Sequence, residues 1–201
     1  MQTASQEFDS QVSGANVEAL ETLEAMAQAF FSESAGKWRS QRRYYTLTSG
    51  ASGASGTSGQ TQEVESFLTV KYLEPDSVEL AGLAQKHQLA ADFQFSCGAL
   101  VTWESHYLNV AAKKKPNLGS TIFGIKGNLM YRDRGFSTSR PVTAEFSMRD
   151  ANSLCLKTAY NGCSFEEEIR LVGDLYRTRQ TIICRAGEEQ MIGQYLEKRI
   201  A

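Results

Sequence analysis

After one helical stripe near the N-terminus, the sequence switches to a period of two and keeps it through almost the whole remaining length. Ala99, Val101 and Trp103 share one face of a strand, and Val142, Ala144, Phe146 and Met148 share one face of another. Leu154, Leu156, Thr158 and Tyr160 repeat the pattern, as do Phe165, Glu167, Ile169 and Leu171. Further strands are predicted over 44–47, 64–72, 121–125, 129–131, 175–185 and 190–200. About eight to ten short strands follow with no strand–helix–strand alternation to suggest a parallel sheet. An antiparallel sandwich or a closed barrel remains, and periodicity alone does not separate them. A barrel of eight or more strands can hold one small ligand among its inward side chains.

The helical stripe consists of Leu20, Leu23, Met26, Ala27, Phe30 and Phe31, with Glu18, Glu21 and Glu24 toward its N-terminal end and Gly36 placed to stop it. Residues 1–15 are polar and predict a flexible tail, which leaves 16–201 as a single domain. Pro75 and Asp76 open a short second helix whose apolar side is Val78, Leu80, Leu83 and Ala84. Glycine recurs at 50, 53, 56 and 59 within 48–61, but proline is missing, so this is a flexible Gly/Ser loop and not collagen. Lys113–Lys115, before Pro116, predicts a solvated hairpin tip.

Composition narrows the function classes. The chain has 201 residues, with 21 Lys+Arg against 23 Asp+Glu, and this balance argues against a nucleic-acid partner. No apolar run approaches the roughly 18 residues of a membrane helix, and the first twenty residues lack a signal peptide's basic and apolar regions. The expectation is a protein without membrane insertion that stays where it is made. Cys97, Cys155, Cys163 and Cys184 form no CxxC pair, and with only His87 and His106 to help, no metal site is expected. GxSxG and HExxH are missing, and the stretch 119–126 lacks the Gly-Lys-Ser/Thr of a phosphate loop.

What remains is a set of charges in phase with apolar residues. Glu167 alternates with Phe165, Ile169 and Leu171, and Arg177 and Arg179 alternate with Thr181 and Ile183. A carboxylate facing a barrel interior is costly unless it is paired or meets a ligand, and inward arginines need anions. Two readings stand: an internal salt-bridge cluster, or a pocket for an anionic guest that also carries a basic or N–H-donating centre. Trp103 reads as core or as pocket wall. Arg42 ends the polar run Lys37-Trp38-Arg39-Ser40-Gln41, where a solvated corner is the plain alternative.

Phe30-Phe31 followed by Ser34-Ala35-Gly36-Lys37-Trp38-Arg39-Ser40-Gln41-Arg42 resembles the opening motif of the CpcS/CpeS-type phycobiliprotein chromophore lyases. Gly98-Ala99 through Val101-Thr102-Trp103-Glu104, Gly119-Ser120-Thr121, Arg134-Gly135-Phe136 and the segment 165–181 resemble later motifs of that family, in the same order. The likeness covers about residues 29–200. Departures fall at Arg170-Leu171 and Leu175-Tyr176, where the family has Trp-Phe and Asn-Leu, and at Asn109, where it has a second tryptophan.

The resemblance implies a lipocalin-like or fatty-acid-binding-protein-like antiparallel β-barrel with an N-terminal helix and a short second helix. It implies a lyase that binds a linear tetrapyrrole, phycocyanobilin or phycoerythrobilin, without covalent linkage. The bilin is then attached by a carbon–sulfur bond to a cysteine of an apo-phycobiliprotein subunit of phycocyanin, phycoerythrin or allophycocyanin. The alternative is a non-catalytic bilin carrier, or an accessory subunit of a heterodimeric lyase; a homodimer is equally open. No cofactor of its own is implied, and the setting would be a cyanobacterial cytoplasm or an algal plastid stroma. Carried over by position, Glu167 would pair with and protonate the pyrrole nitrogens, with Glu166 and Glu168 as rivals if the register slips. Arg177 and Arg179 would hold the propionates, Arg42 would support the pocket mouth, and Trp103 would pack on a ring face.

Overall fold

A computed structural model describes residues 3–47, 61–109, 115–136, 138–185 and 188–200. Ten antiparallel strands follow one another around a closed barrel: β1 (Gly36–Thr46), β2 (Thr61–Leu73), β3 (Cys97–Tyr107), β4 (Asn117–Lys126), β5 (Leu129–Arg132), β6 (Val142–Asp150), β7 (Ser153–Tyr160), β8 (Cys163–Val172), β9 (Tyr176–Arg185) and β10 (Glu188–Arg199). Each strand pairs with its sequence neighbour, and β1 closes the ring against β10, with Trp38 opposite Arg199 and Arg42 opposite Tyr195. Closure removes the open edges that a sandwich would leave. The barrel expectation is met, with α1 (Thr3–Ser34) and α2 (Val78–Lys86) as its two helices.

Two local expectations change. The helix begins at Thr3, inside the stretch read as a flexible tail; no proline interrupts 1–15, and extending an existing helix costs far less than nucleating one. The run 37–42 is the first half of β1 and not a solvated corner. Its inward residues are Trp38, Ser40 and Arg42, so polar side chains stand on both faces and the alternation is hidden from a hydrophobicity reading. Residues 48–60 of the Gly/Ser loop, and Lys113 and Lys114 of the lysine run, lie outside the described residues; Lys115 is exposed.

The helix α1 closes one end of the barrel. Ala27, Phe30 and Phe31 enter the main core with Trp38, Leu68, Val70 and Ile125. Glu24 accepts hydrogen bonds from Ser96 Oγ and the Gly127 backbone N–H, which ties the helix to the rim formed by the β4–β5 turn. The chain then reverses through Gly36, whose φ of 126° is open only to a residue without a Cβ. Trp38 enters the barrel floor with no exposed surface, its indole N–H donating to the Ser34 carbonyl at 2.9 Å. The guanidiniums of Arg177 and Arg199 lie on its ring, 4.7 and 4.3 Å from a ring centroid. Arg199 donates to the carbonyls of Glu33 and Ala35, so a cation satisfies the C-terminal end of α1.

A second cluster lies outside the wall. Leu80 and Leu83 of α2 pack with Leu73 and Phe95. The helix comes this close because Gly98 and Gly124 face each other across β3 and β4. A Cβ on Gly98 would stand 2.6 Å from Leu80, and one on Gly124 would stand 2.8 Å from Phe95. No helix among the described residues is long and apolar enough to cross a membrane.

Candidate functional site

Above the floor made by α1 and Trp38 the barrel encloses a cavity of about 930 Å³, near the upper end of the usual range for small-molecule sites. Apolar wall comes from Leu68, Val70, Val101, Leu154 and Ile169. All five residues named from the sequence, Arg42, Trp103, Glu167, Arg177 and Arg179, line it.

The register of β8 settles which of three consecutive carboxylates faces inward. Glu166 and Glu168 point outward and pair with Lys157 at 3.4 Å and Arg149 at 2.9 Å. Glu167 points into the barrel with 3% of its side chain exposed. There it pairs with Arg179 on β9 and, at 3.7 Å, with Arg132 on β5. The two guanidiniums fare differently beside this one carboxylate. For Arg179, burial would lower its affinity for a proton, but the charges of Glu167, Tyr195 and Glu197 outweigh that and raise it. For Arg132, burial wins and holds it below its ordinary range, with Glu167 only partly compensating and Arg179 adding repulsion. Arg132 is also the more distant of the two from the Glu167 carboxylate.

Arg132 also anchors a stack of planar groups. Its guanidinium lies 5.0 Å from the Phe123 ring and 4.7 Å from Phe136. Phe136 stacks on Phe165 at 5.1 Å, and Phe165 stacks on Tyr160 at 4.6 Å. The Phe136 backbone N–H donates to the Tyr160 hydroxyl, which fixes the β5–β6 loop at the cavity wall.

Arg177 is held differently. It donates through Nε to Glu197 on β10 at 2.5 Å, and Glu197 has no exposed surface. Burial would raise the Glu197 pKa, but Arg177, Arg179 and Arg42 outweigh it and hold the carboxyl below its ordinary range. Arg42 donates from Nε to Ser40 Oγ at 3.2 Å and lies 5.4 Å from the Tyr195 ring centroid.

Trp103 lies against β4 at Gly119, its Cα partner across the strand pair. Any Cβ at 119 would overlap the indole, so glycine is what lets the ring lie flat along the cavity wall. Gly119→Ala should displace the indole, cost about 1–3 kcal/mol through overpacking and shift the Trp103 emission. Trp38 is fully buried on the floor and should keep its signal. Unchanged emission in this variant would contradict the close approach.

Sequence reading missed Arg132, Glu197 and Phe136. Two of these carried the signal used for Glu167: Glu197 shares parity with Tyr195 and Gly193, and Arg132 shares parity with Met130. Phe136 lies in a loop and has no periodicity to reveal it. All four cysteines are free; Cys163 lines the cavity, and Cys97 is buried, its thiol pushed up to about 12 by burial and by Glu24 and Glu74.

A family profile described as CpeS-like protein matches residues 26–200. Over 171 residues the chain is 53% identical to "Putative phycocyanobilin lyase CpcS 2" of Nostoc sp., an overlap covering 85% of this chain and 89% of that one. It is 51% identical over 181 residues to "Putative chromophore lyase CpcV" of Picosynechococcus sp., covering 90% and 85%. Among solved structures it is similar to the S-type phycobiliprotein lyase CPES of Guillardia theta, with a TM-score of 0.66 and 20% identity over 86% of this chain and 91% of that one. At that identity the likeness is one of fold.

Proposed function

The chain belongs to the CpeS-like family, and on that premise we propose that it is a phycobilin lyase, holding a linear tetrapyrrole in its barrel and passing it to a cysteine of an apo-phycobiliprotein subunit. One observation carries the reading. Among the described residues, five arginines line the cavity, Arg42, Arg132, Arg134, Arg177 and Arg179, against one lining carboxylate, Glu167, with Glu197 buried behind Arg177. A bilin brings two propionates and a row of pyrrole nitrogens, so it supplies both the missing negative charge and donors for Glu167.

In this reading Arg179, Arg132 and Arg42 receive the propionates. Arg177 braces the floor, because Glu197 and the Trp38 ring already hold its guanidinium. Trp103 and Phe136 offer flat apolar surfaces to pyrrole rings. Glu167 accepts hydrogen bonds from the pyrrole N–H groups and stabilises the protonated chromophore, which is the stronger electrophile. The acceptor's thiol then adds to the A-ring double bond: a carbon–sulfur bond forms, the S–H bond breaks, and the proton ends on the bilin. The nucleophile belongs to the acceptor, and no cysteine of this chain takes part. Phycocyanobilin is favoured over phycoerythrobilin by the name of the Nostoc relative. A cyanobacterial cytoplasm fits the organisms of the relatives.

The test is reconstitution with purified protein, phycocyanobilin or phycoerythrobilin, and apo-phycocyanin subunits. The acceptor should become covalently coloured and fluoresce on a zinc-stained denaturing gel. Bilin uptake without transfer would make the protein a carrier or one half of a two-subunit lyase, and no uptake of either bilin would refute the reading.

A further inference from the structure

A barrel with apolar walls and inward arginines is, by its chemistry, a trap for any carboxylate on an apolar tail, and fatty acids are the commonest guests of that kind. We infer that Glu167 is the specificity determinant that turns such guests away. This deepens the reading of the barrel as a bilin site and assigns Glu167 a role separate from any part in the transfer step.

The geometry that supports it is the sharing of one carboxylate by two arginines. Arg132 has its flat faces covered by Phe123 and Phe136, which leaves its edge to donate, and that edge reaches Glu167. Arg179 lies 5.2 Å from the Tyr195 ring centroid and pairs with the same carboxylate. A guest whose only polar group is a carboxylate, seated on Arg132 or Arg179, competes with Glu167 for that guanidinium. It then leaves a buried anion with no replacement partner, or stays beside that anion and is repelled. A guest that also brings N–H donors exchanges partners: its donors take the Glu167 oxygens while its carboxylates take the guanidiniums, and no charge is stranded. Arg132 and Arg179 each keep a buried Nε–H without a protein acceptor, and these donors lie beside the Glu167 carboxylate. Glu197 plays no such part, since it is fully buried beneath the cavity with Arg177.

The experiment is a pair of titrations on wild type, Glu167→Gln and the outward-facing control Glu166→Gln. The guests are cis-parinaric acid, a fluorescent monocarboxylate, and phycocyanobilin, followed by absorbance. Glu167→Gln should bind parinarate at least tenfold more tightly than wild type and phycocyanobilin at least tenfold more weakly, and Glu166→Gln should match wild type with both. Parinarate affinity unchanged within twofold, or weakened, in Glu167→Gln overturns the inference. A measurement on wild type alone guards against a variant that fails to fold. Parinaric acid should bind no more than about threefold better than its methyl ester, and a tenfold preference for the acid would overturn the inference as well. Failure of wild type to take up phycocyanobilin would refute the lyase reading while the parinarate comparison still decides the role of Glu167.

Discussion

Glu197→Ala should lower the stability of the barrel by about 3–5 kcal/mol, because it leaves the Arg177 guanidinium buried without its carboxylate. For a chain of this size that is a fall of about 6–20 °C in the thermal midpoint. The loss reaches beyond one ion pair. Arg177 lies on the Trp38 ring, Arg199 lies on the same ring, and Arg199 carries the last carbonyls of α1, so the helix, the floor and the strand closure share this network. The pH dependence has a definite sign. Burial would raise the Glu197 pKa, but Arg177, Arg179 and Arg42 hold it below the ordinary glutamate value of about 4.3. A carboxyl depressed in the folded state contributes stability that is complete above the unfolded value and drains as pH falls through the folded one. Glu197→Gln should therefore flatten the acid side of the stability curve below about pH 4.3 and leave its shape near neutrality unchanged. A variant as stable as wild type at pH 7, with the same acid slope, would show that the pair contributes nothing.

Glu167→Ala should reduce the rate of covalent bilin transfer by about 10²–10⁴-fold, the usual range for removing a side chain that manages a proton in the transition state. Glu166→Ala and Glu168→Ala should stay within about twofold of wild type, since their carboxylates pair outward with Lys157 and Arg149. The contrast among three adjacent glutamates separates a cavity role from a general effect of charge. The variant also leaves Arg132 and Arg179 buried with less compensation, so thermal melting must be read beside activity, and Glu167→Gln keeps the shape while removing the charge. A stable Glu167→Gln protein that transfers bilin at the wild-type rate would remove Glu167 from the chemistry.

What the sequence made legible follows from where its alternation is clean. Glu167 stood out because Phe165, Ile169 and Leu171 share its parity on either side, while Glu166 and Glu168 stayed rivals until the strand register turned them outward. The first half of β1 falls outside the strand predicted at 44–47 because Ser40 and Arg42 face inward, where a strand's apolar marks are expected. Glu197 and Arg132 were in phase with Tyr195 and Met130, yet one aromatic or one methionine is too short a run to fix a face. The seat of α2 was beyond reach altogether. It needs Gly98 and Gly124 opposite each other, and that register follows from pairing between distant strands and not from local pattern. The tetrapyrrole entered through the motif at 30–42, whose structural meaning is the barrel floor: a helix end, a glycine reversal and a buried tryptophan.

The central claim is that the barrel interior is the bilin site and that Glu167 faces the pyrrole nitrogens there. A crystal structure of the protein with phycocyanobilin tests it most directly. The account predicts a tetrapyrrole inside the barrel against Trp103, its nitrogens within hydrogen-bond distance of Glu167 and its propionates on two of Arg42, Arg132 and Arg179. A bilin bound on the outer surface, or one inside the barrel with the Glu167–Arg179 pair intact and the nitrogens turned elsewhere, would contradict it.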